Sequence, residues 1–287
     1  MRDDVYPGRL LTLQIKGKLV DLSTPAVMGI VNCTPDSFYA GSRRTAVEEA
    51  VSLGVAMAEQ GALFVDVGGQ STRPGASQVG VEEELERVMP VVEQLVKKLP
   101  ASVTVSIDTF YARVAQMAVA TGAGIVNDIS GGMLDSSMYD TVAALGVPYI
   151  LTHTRGNPAT MAKHAVYEDL LQEVLSETDQ RILLARAAGI SQLIIDPGFG
   201  FAKTVDQNFE LLRHLPMFSM FRLPILVGLS RKSMVWKTLQ TTPENALNGS
   251  TVLHTLACIQ GASILRVHDV AAAAEVVLLT QKTLPLG

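Results

Sequence analysis

Eight times along this 287-residue chain a short aliphatic run ends in a polar residue, passes through a glycine-bearing loop and gives way to a stretch with helical spacing of apolar residues. The runs occupy 26–32, 63–68, 103–108, 125–130, 149–154, 192–197, 224–230 and 262–268. Parallel strands cannot be joined by tight turns and need a crossover of helical length. Eight such βα units in a chain of this size therefore predict a (β/α)8 TIM barrel, not an open doubly wound sheet. Residues 10–22 alternate apolar and polar around Gly17, which predicts an N-terminal β-hairpin that plugs one end of the barrel. No Pro/Ser-rich linker interrupts the chain, so the expectation is one domain over 1–287, with the hairpin at 10–22 and the barrel at 26–283.

Helix signals lie between the runs. Thr45 and Glu48 have capping-box spacing, and Gly61 stands where that helix should stop. Asp206 is expected to cap a helix through Leu212, and Asp269 to cap the last helix, 270–280. Residues 165–189 read as one helix with its charges outside. With 48% hydrophobic residues the chain can bury a large core. A net charge of −5 and the absence of a basic run argue against nucleic acid, whose phosphates need clustered Lys and Arg. A small-molecule ligand is the expectation instead. Cys33 and Cys258 are too few for a disulfide framework, no charged-then-apolar leader opens the sequence, and the longest apolar stretch is interrupted by Glu275. These features fit a soluble protein of the cytoplasm, without a membrane partner.

In such a barrel the chemistry sits at the C-terminal ends of the strands, where the βα loops converge above a packed interior. The positions there are Asn32, Asp66, Asp108, Asn127 with Asp128, His153, Asp196, Ser230, and Arg266 with His268. Any one of them could be a helix cap or a solvated loop residue. The stretch 193–203, Leu-Ile-Ile-Asp-Pro-Gly-Phe-Gly-Phe-Ala-Lys, combines a strand ending in Asp196 with two glycines that let backbone approach a ligand, Phe199 and Phe201 as flat walls, and the cation Lys203. Asp108, Asn127 and Asp196, with Lys232 in reach, suit a flat polar heterocycle such as a pterin. An apolar ligand would leave each of them unpaired at about 1–3 kcal/mol. Arg266 and His268 share a strand face and precede the last helix, the usual place of a phosphate site in these barrels. Arg73 offers a second guanidinium, and Asn32 suits one ligand position of a Mg²⁺ that otherwise keeps waters and phosphate oxygens. His164, His214 and His254 read as helix-face residues, with no His/Cys cluster for zinc.

Taken together, the motifs resemble the dihydropteroate synthases over about 26–270. They are Met28-Gly-Ile-Val-Asn-Cys-Thr-Pro-Asp-Ser-Phe38, Asp66 to Gly75, Ser106-Ile-Asp-Thr109, Asn127-Asp-Ile-Ser130, Asp196 to Phe201, Gly228 to Ser233 and Arg266-Val-His268. The resemblance implies a folate-pathway enzyme that joins 6-hydroxymethyl-7,8-dihydropterin pyrophosphate to p-aminobenzoate and releases pyrophosphate. It also implies residue roles: Asp108, Asn127, Asp196 and Lys232 on the pterin, and Asn32, Arg73, Arg266 and His268 on pyrophosphate and Mg²⁺. Thr72, Phe201 and Ser233 would line the p-aminobenzoate side, and Asp108, Arg73, Lys232, Arg266 and His268 form the implied catalytic set.

Three departures from the family pattern stand out. Tyr39-Ala40-Gly41 follows Phe38 where Ser-Asp-Gly is common, strand five ends Thr152-His153-Thr154 where Met-His-Met is usual, and Gln70 replaces a common Glu. Sulfonamides imitate p-aminobenzoate and are told apart where they extend past it, with Phe38, Tyr39 and Pro74 the expected neighbours, so the altered Tyr39-Ala40 raises the expectation of a sulfonamide-tolerant form. A corrinoid-linked, pterin-dependent methyltransferase and a pterin-binding protein without turnover are the alternatives. The Ala-rich last helix offers a surface for a homodimer.

Overall fold

The computed structural model describes residues 11–33, 43–70 and 78–283. The chain opens with β1 (Thr12–Ile15) and β2 (Lys18–Asp21), an antiparallel hairpin turning through Lys16 and Gly17, both at positive φ. Left-handed geometry at both central residues matches the twist of the strands they join. There follow β3 (Ala26–Asn32), α1 (Arg43–Glu59), β4 (Phe64–Gly68), α2 (Val81–Lys98), β5 (Thr104–Asp108), α3 (Ala112–Thr121), β6 (Ile125–Asp128), α4 (Met138–Leu145) and β7 (Tyr149–Thr152). The chain continues with α5 (Leu170–Ala187), β8 (Leu193–Asp196), α6 (Val205–Arg213), β9 (Leu226–Val227), α7 (Ser233–Thr238), α8 (Leu247–Ile259), β10 (Ile264–Val267) and α9 (Val270–Thr283). The eight parallel strands run β8-β7-β6-β5-β4-β3-β10-β9, and a parallel bridge from Ile195 to Ile225 closes the ring. The barrel and its hairpin are those the sequence predicts, with most strands trimmed at one or both ends.

Side-chain alternation along the strands explains the barrel's layering. Val27, Val65, Val67, Val105, Ile107, Val126, Leu151, Ile195 and Val267 point outward into one continuous apolar shell with the helices. The intervening residues point inward: Met28, Phe64, Ile125, Ile150, Ile194, Leu226 and Ile264 fill the lower barrel together with Leu13, Ile15 and Leu22 of the hairpin. The hairpin is therefore the plug at the N-terminal end. Two residues further along the same inward face the chemistry changes, from Phe64 to Asp66, Ile125 to Asn127, Ile150 to Thr152, Ile194 to Asp196 and Ile264 to Arg266.

Several local expectations are corrected. Helix α1 begins at Arg43, so Thr45 lies inside it and not at its cap, while Gly61 at φ +102 follows its end as expected. The cap of α6 is Thr204, in a reciprocal capping box with Gln207, and Asp206 sits in the first turn. The 165–189 segment holds a single helix, α5, but it does not begin until Leu170, where Asp169 caps it. Nor are its charges all outside, because Arg181 is buried. His254 is likewise buried in α8. Among the described residues no helix is long and apolar enough to cross a membrane.

Candidate active site

Arg266, on the inward face of β10, is pinned between two carboxylates of neighbouring strands. Its Nε donates to Asp66 Oδ2 at 2.7 Å and its Nη2 to Asp108 Oδ2 at 2.6 Å. Asn127 Nδ2 donates to the same Asp66 oxygen at 2.8 Å, which orients the amide because a carboxylate only accepts. Burial works against the guanidinium charge, but Asp66 and Asp108 outweigh it and raise the Arg266 pKa. Burial also pushes the Asp108 carboxyl up to about 7, with Arg266 pulling the other way. Among the described residues no hydrogen bond engages Asp108 Oδ1, so one oxygen is left for a ligand.

Asp196 at the end of β8 has the same form. Its Oδ1 accepts from the Gly198 N–H at 2.8 Å, and no described residue engages Oδ2. Burial raises its pKa, and Lys232 is among the cations that oppose this. Lys232 caps α7, donates to the Phe199 carbonyl, and places its ammonium 4.1 Å from the centre of the Phe201 ring. Burial lowers its pKa to about 8. Only glycine fits at 198, which stands at φ +76 with a hypothetical Cβ 1.9 Å from the His153 carbonyl oxygen. Among the described residues, the mouth of the barrel therefore presents carboxylate and amide acceptors beside the Lys232 donor and the Phe201 ring.

Other expected residues divide clearly. His268 Nδ1 lies 3.1 Å from Ser230 Oγ, and burial pushes its pKa down to about 4, so the ring is neutral. The Arg266 Nε and Nη2 are taken by the carboxylates of Asp66 and Asp108. Asn32 is exposed at the end of β3, and Ser233 opens α7 half-buried. Asp269 pairs with Arg231, with oxygens 3.0 and 2.6 Å from the guanidinium. Thr72, Arg73, Pro74, Phe38 and Tyr39 lie outside the described residues.

Two expectations fail. Asp128 points outward and is consumed by the N–H groups of Ser130 and Gly132 and the hydroxyl of Tyr149, so it braces the strand-six loop and is no rim acid. Phe199 is not a wall of the site, because its ring packs into the outer shell. Cys33 is buried and its thiol is pushed up to about 12 by burial, which excludes an activated nucleophile there.

Sequence reasoning missed the bracing around the end of β7. His153 is buried, with Nε2 3.1 Å from Glu177 Oε2 and Nδ1 3.0 Å from Lys203 Nζ. Arg155 pairs with Glu173 and Glu177, and Arg181 donates to the carbonyls of Thr152 and Thr154. The available signal was the spacing of Glu173, Glu177 and Arg181, four residues apart on one face of α5.

Comparison with known proteins agrees with this geometry. The family described as "Pterin binding enzyme" matches residues 28–268. The dihydropteroate synthase of Escherichia coli (strain K12) is 42% identical over 276 residues, covering 96% of this chain and 97% of that protein. A Xanthomonas albilineans dihydropteroate synthase solved with 4-aminobenzoic acid superposes with a TM-score of 0.89 at 43% identity, over 96% of this chain and 99% of the other. A Yersinia pestis dihydropteroate synthase solved in a sulfonamide drug complex also gives 0.89, at 40% identity over 95% of this chain and 99% of that one.

Proposed function

The chain belongs to the dihydropteroate synthase family of pterin-binding enzymes, and from that premise we propose how its residues divide the work. The reaction is the transferase step of folate biosynthesis, in which 6-hydroxymethyl-7,8-dihydropterin pyrophosphate and p-aminobenzoate give 7,8-dihydropteroate and pyrophosphate. The observation that carries the assignment is the set of inward polar residues on β4, β5, β6, β8 and β10, directly above an apolar plug.

Asp108 Oδ1, Asp196 Oδ2 and the Asn127 amide take the ring N–H groups of the pterin, while Lys232 turns one of its N–H groups to a ring acceptor. Phe201, lying beneath the Lys232 ammonium, is the flat contact. Pyrophosphate leaves from the exocyclic methylene, carrying the electron pair of the C–O bond. Arg73, Asn32 and His268 are assigned to its oxygens, with Arg266 acting mainly by keeping Asp108 ionised. Asp108 lies beside the positive charge that develops on the pterin and stabilises it in a site of low dielectric. The aniline nitrogen of p-aminobenzoate then forms the new C–N bond and gives up its proton to solvent. Thr72, Phe201 and Ser233 line the side from which it enters.

Mg²⁺ fits this donor set. The only residue proposed as its protein ligand is the neutral, exposed Asn32, and among the described residues no cluster of three acids, His or Cys exists to hold a softer or fully protein-ligated metal. When bound, the ion neutralises charge on the leaving pyrophosphate.

A homodimer through α8 and α9 is supported by the exposed Val252, Leu256, Ile259, Leu278 and Leu279 on these two adjacent helices. A cytoplasmic setting is supported by Cys33 and Cys258, both buried and neither in a disulfide. Sulfonamide tolerance is proposed from the sequence alone, where Tyr39 and Ala40 bring an added ring and a lost charge in place of the common Ser-Asp, since specificity can come from an added clash. The test of the proposed function is to mix enzyme, dihydropterin pyrophosphate and Mg²⁺ and follow pyrophosphate. Release that depends on p-aminobenzoate and yields pteroate supports the assignment, and release without pteroate overturns it.

A further inference from the structure

The loop between Asp196 and α6 carries the pterin carboxylate at one end and Phe201 near the other, and it is held by a lysine that has no part in the assignments above. Lys203 Nζ donates to the Gly198 carbonyl at 3.1 Å and the Phe201 carbonyl at 3.2 Å, and approaches His153 Nδ1 at 3.0 Å. These two carbonyls flank that of Phe199, on which Lys232 rests. Behind the ring, Glu177 Oε2 can only accept, so His153 Nε2 carries the ring proton and Nδ1 offers its lone pair to Lys203. Glu177 is fixed in turn by Arg155 and lies 3.9 Å from Arg181.

We propose that Lys203 is a positioning residue for the pterin site, locking the Gly198–Phe201 loop against His153 and Glu177 so that Asp196, Phe201 and Lys232 are set for one planar ligand. Three acceptors around a single amine require the ammonium form, because a neutral amine has only two N–H groups. The groups facing it are Asp196, Glu177, Arg181, Lys232 and His153. Burial lowers its pKa to about 7, so the lock sits near its own limit at neutral pH. His153, pushed to about 3 chiefly by burial, stays neutral throughout. Gly198 also packs tightly under the His153 carbonyl, where a Cβ would come within 1.9 Å of the oxygen, so the loop lies directly against the end of β7.

The role rests on the pterin assignment above, and the test separates the two. Lys203→Met removes all three donors at nearly constant volume, and His153→Phe removes the acceptor while keeping a ring. Affinities for a pterin lacking phosphates and for inorganic pyrophosphate are measured by calorimetry on wild type, both single variants and the double. Lys203→Met is expected to weaken pterin binding at least tenfold and to leave pyrophosphate affinity within about twofold. His153→Phe should weaken it less, and the double variant should be no worse than Lys203→Met, because both act through one lock. Unchanged pterin affinity, equal losses for both ligands, or additive losses would overturn the positioning role alone. A wild type that binds no pterin would overturn it together with the function it rests on. If Lys203→Met does not fold, His153→Phe decides by the same two affinities.

Discussion

Replacing Arg266 with Met removes the one cation between Asp66 and Asp108, whose side chains are 0% and 8% exposed against 16% for the arginine. Breaking a buried pair by deleting one partner costs about 3–5 kcal/mol, because the remaining charge has nowhere to go. At about 2–4 °C per kcal/mol for a chain of this size, the melting temperature should fall by roughly 6–20 °C. The loss should grow with pH. Asp108 already has a folded pKa of about 7, above its unfolded value, so whatever it contributes to stability is present when it is protonated and is lost as pH rises through that value. Without Arg266 that pKa rises further, so melts at pH about 8.5 should show a larger deficit than melts at pH about 6. Pterin binding should fall too, since a protonated Asp108 offers a donor where the ring needs an acceptor. Adding Asp66→Asn and Asp108→Asn should recover much of the stability and none of the binding. An Arg266→Met variant with unchanged melting and pterin affinity, losing only pyrophosphate, would show that the arginine serves the anion alone and would refute this reasoning.

Three further outcomes are expected. Leu13→Ala in the plug should cost about 2–5 kcal/mol in urea unfolding while leaving pterin affinity at the wild-type value, since Leu13 lies at the end of the barrel away from the site. The rings of His153, His254 and His268, held at about 3, 4 and 4 by burial, should show no titration by NMR from pH about 8 down to about 5. Unfolded histidines take up protons below about 6.5, so these three withdraw stability as pH falls through that range. Gly198→Ala should abolish measurable pterin binding, because its Cβ would meet the His153 carbonyl at 1.9 Å.

The fold was legible because a two-residue alternation and a 3.6-residue period are both local. The shift from Ile194 to Asp196 on one strand face already marks where packing ends and the mouth begins. Caps were less legible: Thr204 and Asp206 both suit a helix start, and only the backbone decides between them. That Asp66, Asp108, Asn127 and Arg266 meet at one end of the barrel was legible from their places at the strand ends, but which of them pair was not. Nothing in the sequence says that Arg266 will reach 158 positions back to Asp108, or that Phe199 will turn outward where Phe201 does not. The Lys203–His153–Glu177 chain was hidden for the same reason, since Lys203 follows β8 while His153 and Glu177 belong to the preceding unit of β7 and α5.

The placement of the pterin between Asp108 and Asp196 is tested most directly by the dissociation constant of a pterin in Asp196→Asn and Asp108→Asn. In Asp196→Asn the amide oxygen must stay on the Gly198 N–H, which turns the NH₂ toward the ligand's own N–H groups. Each substitution should cost about 1.5–3 kcal/mol, roughly 10–150-fold in affinity. A wild-type dissociation constant in both variants would contradict the assignment of this site.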